Sequence, residues 1–222
     1  MLNPNKIAFI YCYNDEQQLT KSLSYLDDLI VPSDMTKEVI TLHGQTSATS
    51  GYNNGMKQAG DAKYKVYLHQ DVHILNVNFI SDLIDVFNKD EEIGMIGMIG
   101  AQKLNSDAVW WFSDKLYGKV YDNTRGPRTL LSFIQPKGNY AQVQSIDGLL
   151  MATQYDVPWR EDLFTGWHFY DISQTWEFLK AGYKVVVPKQ PGEAWCYHDA
   201  GHGSSAGGYE EFKKIFKETY FK

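Results

Sequence analysis

Cysteine is nearly absent. Of 222 residues only Cys12 and Cys196 are cysteine, each among apolar or aromatic neighbours. Two such residues build no disulfide framework and no cysteine-rich zinc site, so they read as reduced, semi-buried thiols. Long hydrophobic runs are missing too. No stretch reaches the roughly 18 apolar residues that span a bilayer, and no transmembrane segment is expected. The N-terminal MLNPNK has no apolar signal core, so the expected location is the cytoplasm. Positive charge is scarce. Lys and Arg total 21 against 27 Asp and Glu, for a net charge of -6, which disfavours a nucleic-acid partner. There is no internal repeat and no low-complexity tract, which argues against solenoids and disordered arrays.

What is present supports one large domain spanning residues 1–222. Hydrophobic residues make up 43% and charged residues 22%, enough apolar content for a packed core. Aromatics reach 14%. Such rings line carbohydrate and nucleobase sites as well as cores.

The patterning alternates between two periods. KIAFIYCY (6–13) is a continuous apolar run, as in a buried parallel strand. Asn14 follows as a helix N-cap with Gln17 three residues on, then Leu19, Leu23, Leu26 and Ile30 at helical spacing. KEVITL (37–42) reads as a strand, 50–60 as a helix closing on Gly60, and YKVYLH (64–69) as a third strand. An amphipathic helix over 77–88 and a glycine-spaced strand over 93–101 come next. Strand and helix in alternation predict a mostly parallel, Rossmann-like α/β sheet flanked by helices. Residues 1–101 read as a nucleotide-binding half. The half at 102–222 opens irregularly over 102–140. It then offers a strand pair or bent strand at 143–153, a helix at 168–182, a further strand, a flexible loop at 198–208 and a C-terminal helix.

Ligands of such sheets sit beyond the carboxyl ends of the strands. Tyr13–Asn14, His43–Gly44 and the stretch Gln70 to His73 fall there. In YLHQDVHIL (67–75), Asp71 and His73 lie two apart and share a side if the chain stays extended. A carboxylate with an imidazole suits a divalent ion, and a surface turn is the bland alternative. His69 reads as a strand residue pointing elsewhere, and Gln70 as a group near the nucleotide or sugar. His198, in a glycine-rich loop, offers a third ligand, with Asp199 and His202 as weaker candidates. Asp171, beside His168 at a helix start, fits a general base, but an acid there also suits the helix dipole. Asp147 is a second acidic candidate. Ser47, Ser50 and Asn53 lie around another helix start, able to meet a phosphate or ribose or simply to cap. Trp110, Trp111, Trp167 and Tyr170 are rings that stack on sugars or pack.

In this order the segments resemble the family 2-like glycosyltransferases of the GT-A fold. IAFIYCYNDEQQLTKSL, SGYNNGMKQAGDAKYKVYLHQDVHI, IDGLLMAT and FTGWHFYDISQTWEFLKAGYKVVVP carry the likeness, across about residues 6 to 188. The resemblance implies transfer of a sugar from a nucleoside diphosphate sugar, most simply UDP-linked, to a glycan, lipid-linked glycan or other hydroxyl acceptor. It implies Mn²⁺ or Mg²⁺ on the diphosphate. It assigns Tyr13, Asn14, Ser47, Tyr52, Asn53 and Gln70 to the nucleotide sugar. Asp71-Val72-His73 is similar to the D-x-H motif of the polypeptide N-acetylgalactosaminyltransferases, with His198 as the later histidine ligand. Two departures stand out. Leu42-His43 replaces the usual acid after the second strand, and the usual E-D-x-D-L reads His168-Phe169-Tyr170-Asp171-Ile172. Asp171 or Asp147 is then the catalytic base, with Trp110, Trp111, Trp167 and His168 on the acceptor side. The rival readings are a non-catalytic nucleotide-sugar or glycan binder and a nucleotide-sugar hydrolase. A homo-oligomer is compatible with all three.

Overall fold

A computed structural model describes residues 2–124, 126–201 and 207–221. His202 falls outside these residues. From the N-terminus the chain forms β1 (Asn3–Tyr13), α1 (Glu16–Asp27), β2 (Thr36–His43), α2 (Ala48–Gln58), β3 (Ala62–His69), β4 (Val72–Ile74) and α3 (Phe79–Phe87). β5 (Ile93–Gly97), β6 (Ile99–Ala101), a single 3-10 turn at Trp110–Phe112, β7 (Leu116–Asp122), β8 (Thr129–Ser132), β9 (Tyr140–Gln142), β10 (Ser145–Ile146) and β11 (Leu150–Thr153) follow. The chain continues through α4 (Tyr170–Lys180), β12 (Lys184–Pro188), β13 (Cys196–His198) and α5 (Tyr209–Tyr220). Among the described residues, no helix is long and apolar enough to cross a membrane.

The principal sheet runs β2-β1-β3-β11-β5-β12-β9. β1 pairs in parallel with both β2 and β3, while β11 lies antiparallel between β3 and β5. β1 shows why its run is apolar throughout. Ile7, Phe9 and Tyr11 enter one core layer, and Ala8, Ile10 and Cys12 enter the other. Successive side chains alternate faces, so a strand covered on both sides must be apolar at every position. Each large side chain so buried contributes on the order of 1.5–3 kcal/mol. Cys12 and Cys196 are both buried free thiols.

A second, smaller sheet runs β10-β6-β7-β13-β4, with β8 paired to β7. The expected strand at 93–101 is therefore two strands. The chain passes Met98 and leaves one sheet for the other. The 102–140 segment expected to be irregular holds the antiparallel β7–β8 pair. Its strand signal is weak because β8 is exposed along its whole length. The helix caps also differ from expectation. Asp15 rather than Asn14 caps α1, its Oδ1 accepting from Gln17 N at 2.9 Å and Gln18 N at 3.1 Å. Ile30 lies past the end of that helix and is exposed.

One crossover matters most. β3 ends at His69, Gln70 and Asp71 form a turn, and β4 begins at Val72 in the smaller sheet. β4 pairs antiparallel with β13, setting His73 opposite Tyr197 and Val72 opposite His198. The backbone N–H of Asp199 donates to Asp71 O at 2.8 Å and closes this junction.

Candidate active site

A cleft of about 820 Å³ opens where the two sheets meet. Its floor includes Cys12, Tyr13 and Asn14 from the end of β1, and His69, Gln70 and Asp71 from the β3–β4 junction. Asp147 and Gly148 enter from the turn before β11, Asp171 from the first turn of α4, and His198 from the end of β13. Trp110, Trp111, Trp167, His168 and Tyr209 form the wall that faces them.

His69, Asp71 and His198 converge. One ligand atom from each lies within 4.8 Å of the others. His198 Nε2 is 3.5 Å from Asp71 Oδ1, and that oxygen is buried without a hydrogen bond. His69 Nε2 is hydrogen-bonded to the Tyr170 hydroxyl, which leaves Nδ1 as its other donor atom. Two imidazoles, one carboxylate and an unbonded buried carboxylate oxygen make a donor set that fits a divalent ion. Two imidazoles suit Mg²⁺ poorly, because it takes oxygen ligands.

His73 is not among the three. It is 1% exposed and stacks on Tyr25 of α1 at 4.6 Å between ring centres, with Tyr197 edge-on at 5.4 Å. Its Nδ1 is buried without a hydrogen bond. The expectation of Asp71 paired with His73 required an extended chain. The turn at Gln70–Asp71 breaks the alternation and turns Asp71 toward His69 instead. His198, expected in a flexible loop, lies instead at the end of β13, with its Nε2 turned toward Asp71.

Electrostatics separate the groups. Burial pushes the His69 imidazole down, against the pull of Asp71, so it is held neutral. Burial also works against a charged His198, but the carboxylates of Asp122 and Asp71 outweigh it and raise the imidazole to about 10. Burial alone would lift the Asp71 carboxyl, but His198 and His69 bring it below the ordinary value. Asp171 goes the other way. Burial and then the neighbouring Asp147 lift it to about 7, although backbone amides at Ile172 and Gly148 favour its charged form. A carboxyl tuned near neutrality is suited to accept a proton.

Tyr170 can approach this floor because residue 148 is glycine. A Cβ at Gly148 would sit 2.3 Å from the Tyr170 hydroxyl oxygen. Tyr52 lines the same floor, packed against Tyr67, Trp159 and Tyr170. Tyr13 faces His43 at 5.0 Å between ring centres.

Several expected donor contacts lie elsewhere. Ser47 is the buried N-cap of α2 and accepts from Ser50 N at 3.2 Å. Asn53 is paired with the backbone of Trp159, donating at 3.0 Å and accepting at 2.9 Å. Neither lines the cleft; each ties helix α2 in place. Gln70 does line it, but its amide is engaged. Its Oε1 accepts from Asn14 N at 2.8 Å and Asp15 N at 3.0 Å, and its Nε2 donates to Asn14 and Gln18, each at 2.9 Å. His69, expected to be a strand residue pointing elsewhere, joins Asp71 and His198, and it too lies two residues from Asp71. Gln45 and Tyr209 in the lining, and Asp122 beside His198, carry no local signal in the sequence.

Residues 8–220 match the family described as "Glycosyltransferase like family". The chain belongs to this glycosyltransferase-like family. No curated protein matches it by sequence. Solved structures match its fold. GalNAc-T7, crystallised with UDP, GalNAc and Mn²⁺, superposes with a TM-score of 0.64 at 9% identity, over 96% of this chain and 48% of that one. The mannosyltransferase PcManGT from Pyrobaculum calidifontis, with GDP-Man and Mn²⁺, gives 0.58 at 9% identity, over 99% and 65%. TarS of S. aureus with UDP-GlcNAc gives 0.58 at 11% identity, over 96% and 65%. The family member described here thus spans about half to two thirds of these chains, and it has their GT-A fold.

Proposed function

We propose that this protein transfers a sugar from a nucleoside diphosphate sugar, UDP-linked, to a hydroxyl of a glycan acceptor, in a metal-dependent reaction. The observation that carries the reading is the convergence of His69, Asp71 and His198 with Asp171 on one cleft, in a member of a glycosyltransferase-like family. The GT-A neighbours support it, one solved with UDP, GalNAc and Mn²⁺, one with GDP-Man and Mn²⁺ and one with UDP-GlcNAc.

His69, Asp71 and His198 would hold the Mn²⁺. When bound, the ion neutralises charge on the departing diphosphate. Tyr13, Asn14 and Tyr52 line the donor side, the contribution of the 1–101 half. Trp111 and Trp167, both partly open to solvent, offer ring faces to the acceptor sugar. Asp171 takes the proton of the attacking hydroxyl, and burial together with the neighbouring Asp147 keeps its affinity for that proton high.

The test is to incubate the protein with a panel of UDP- and GDP-sugars and Mn²⁺, with and without glycan acceptors. Acceptor-dependent UDP release with a glycosylated product is expected. UDP release at the same rate without acceptor would make it a hydrolase. Binding without turnover across the panel would make it a nucleotide-sugar binder.

A further inference from the structure

We propose that Asp122 is a positioning residue for the metal centre, aiming the His198 ring at Asp71 and His69. The proposal rests on the metal reading above. His198 spans two carboxylates, one at each ring nitrogen. Its Nε2 lies 3.5 Å from Asp71 Oδ1 and its Nδ1 lies 3.2 Å from Asp122 Oδ2. Asp71 lines the cleft and Asp122 stands behind the ring, outside the lining.

The backbone sets this arrangement. β13 runs parallel to β7, and their register places His198 directly beside Asp122. The Asp122 carboxylate is itself held. Oδ1 accepts from Thr124 N at 2.8 Å and from the Thr124 hydroxyl, which leaves Oδ2 for His198. Asn123, in the same turn, clamps the segment that follows His198. It donates to Asp199 Oδ1 at 2.6 Å and accepts from Gly201 N at 3.0 Å. The ring can therefore neither flip nor swing without breaking bonds at a fixed turn.

A carboxylate on the far nitrogen of a ligand histidine selects the tautomer, orients the ring and strengthens it as a donor. Loss of such a partner costs about 10–100-fold in metal affinity. Nε2 is then the ligand atom of His198, with the proton kept on Nδ1 and shared with Asp122. The contrasting reading is an ion pair that only joins β7 to β13.

The experiment titrates Mn²⁺ into the full chain by calorimetry, with UDP present, for wild type, Asp122→Ala and Asp122→Asn. Affinity should fall about 10–100-fold in Asp122→Ala. Asp122→Asn should lie between, because its amide oxygen still accepts from Nδ1–H. If Asp122→Ala does not fold, Asp122→Asn carries the comparison. A second readout uses ¹⁵N-histidine spectra of the Zn²⁺-loaded protein. The wild type and Asp122→Asn should show His198 protonated at Nδ1 alone, and Asp122→Ala, without an acceptor at that nitrogen, should lose that single tautomer. Equal Mn²⁺ affinity in wild type and folded variants, or a loaded His198 protonated at Nε2, overturns the assignment and leaves the metal reading standing. A wild type that takes up no Mn²⁺ overturns both.

Discussion

At the His198 corner of the cleft, acids and imidazoles alternate: Asp122, His198, Asp71, His69. At the Asp171 corner the neighbour that matters is another acid, Asp147. Both corners lie at the ends of strands or helices and both are substantially buried. The first compensates its charges, so burial is outweighed and His198 and Asp71 favour their ionised forms. The second does not, so burial and like charge act together and Asp171 favours its neutral form. The difference separates the chemistry. One corner is suited to hold an ion, the other to receive a proton.

The comparison breaks most sharply at Asp71. Asp71→Asn is predicted to lower Mn²⁺-dependent transfer by about 10³-fold, since several kcal/mol of charge stabilisation depart with the ion. A product-release assay keeping more than a tenth of wild-type activity would sink the ligand role. Next comes Asp171→Asn, with a predicted loss of roughly 10²-fold or more in turnover and unchanged affinity for UDP with Mn²⁺. Weakened UDP binding by calorimetry would move Asp171 to the donor site.

The same residue sharpens the contrast through pH. With a value near 7, Asp171 is protonated below that pH, so turnover should fall about tenfold per unit on the acid side. Its folded value lies above its unfolded one. The stability it contributes is full below about pH 4 and is lost as pH rises through 7. Asp171→Asn should therefore raise the melting temperature at pH 8 and leave it nearly unchanged at pH 4. A larger gain at the acid end would contradict the shift.

Smaller effects test the edges of the two corners. His73→Ala should destabilise the fold by roughly 1–3 kcal/mol through lost packing on Tyr25 and Tyr197, with Mn²⁺ affinity kept within twofold. A tenfold loss of affinity in folded protein would return His73 to the ligand set. Trp111→Ala should raise KM for a glycan acceptor about 3–10-fold, the worth of one ring contact, with donor KM unchanged. An altered donor KM alone would place Trp111 on the other side of the cleft.

Much of this was legible before folding was considered. The both-faces burial of β1 is written in KIAFIYCY, and the GT-A resemblance covers most of the chain. Asp71, His198, Asp147 and Asp171 were all nameable as candidates, and all four line the cleft. Ser47 and Asn53 were not separable from true donor contacts, because a capping oxygen and a ligand-binding oxygen are the same atom in a sequence. Asp122 was invisible, since its role depends on which strand lies beside β7.

What the sequence determined by itself is the order of elements, the double-sided core and the presence of acids and imidazoles at strand ends. Local chemistry and period suffice for that. Which histidine joins Asp71 was decided only by the tertiary structure. A turn at Gln70–Asp71 carries the chain from one sheet to the other, sends His73 into packing against Tyr25 and leaves His69 facing His198. Spacing specifies a face only while the backbone keeps its period, and the crossing between sheets is where that period is lost.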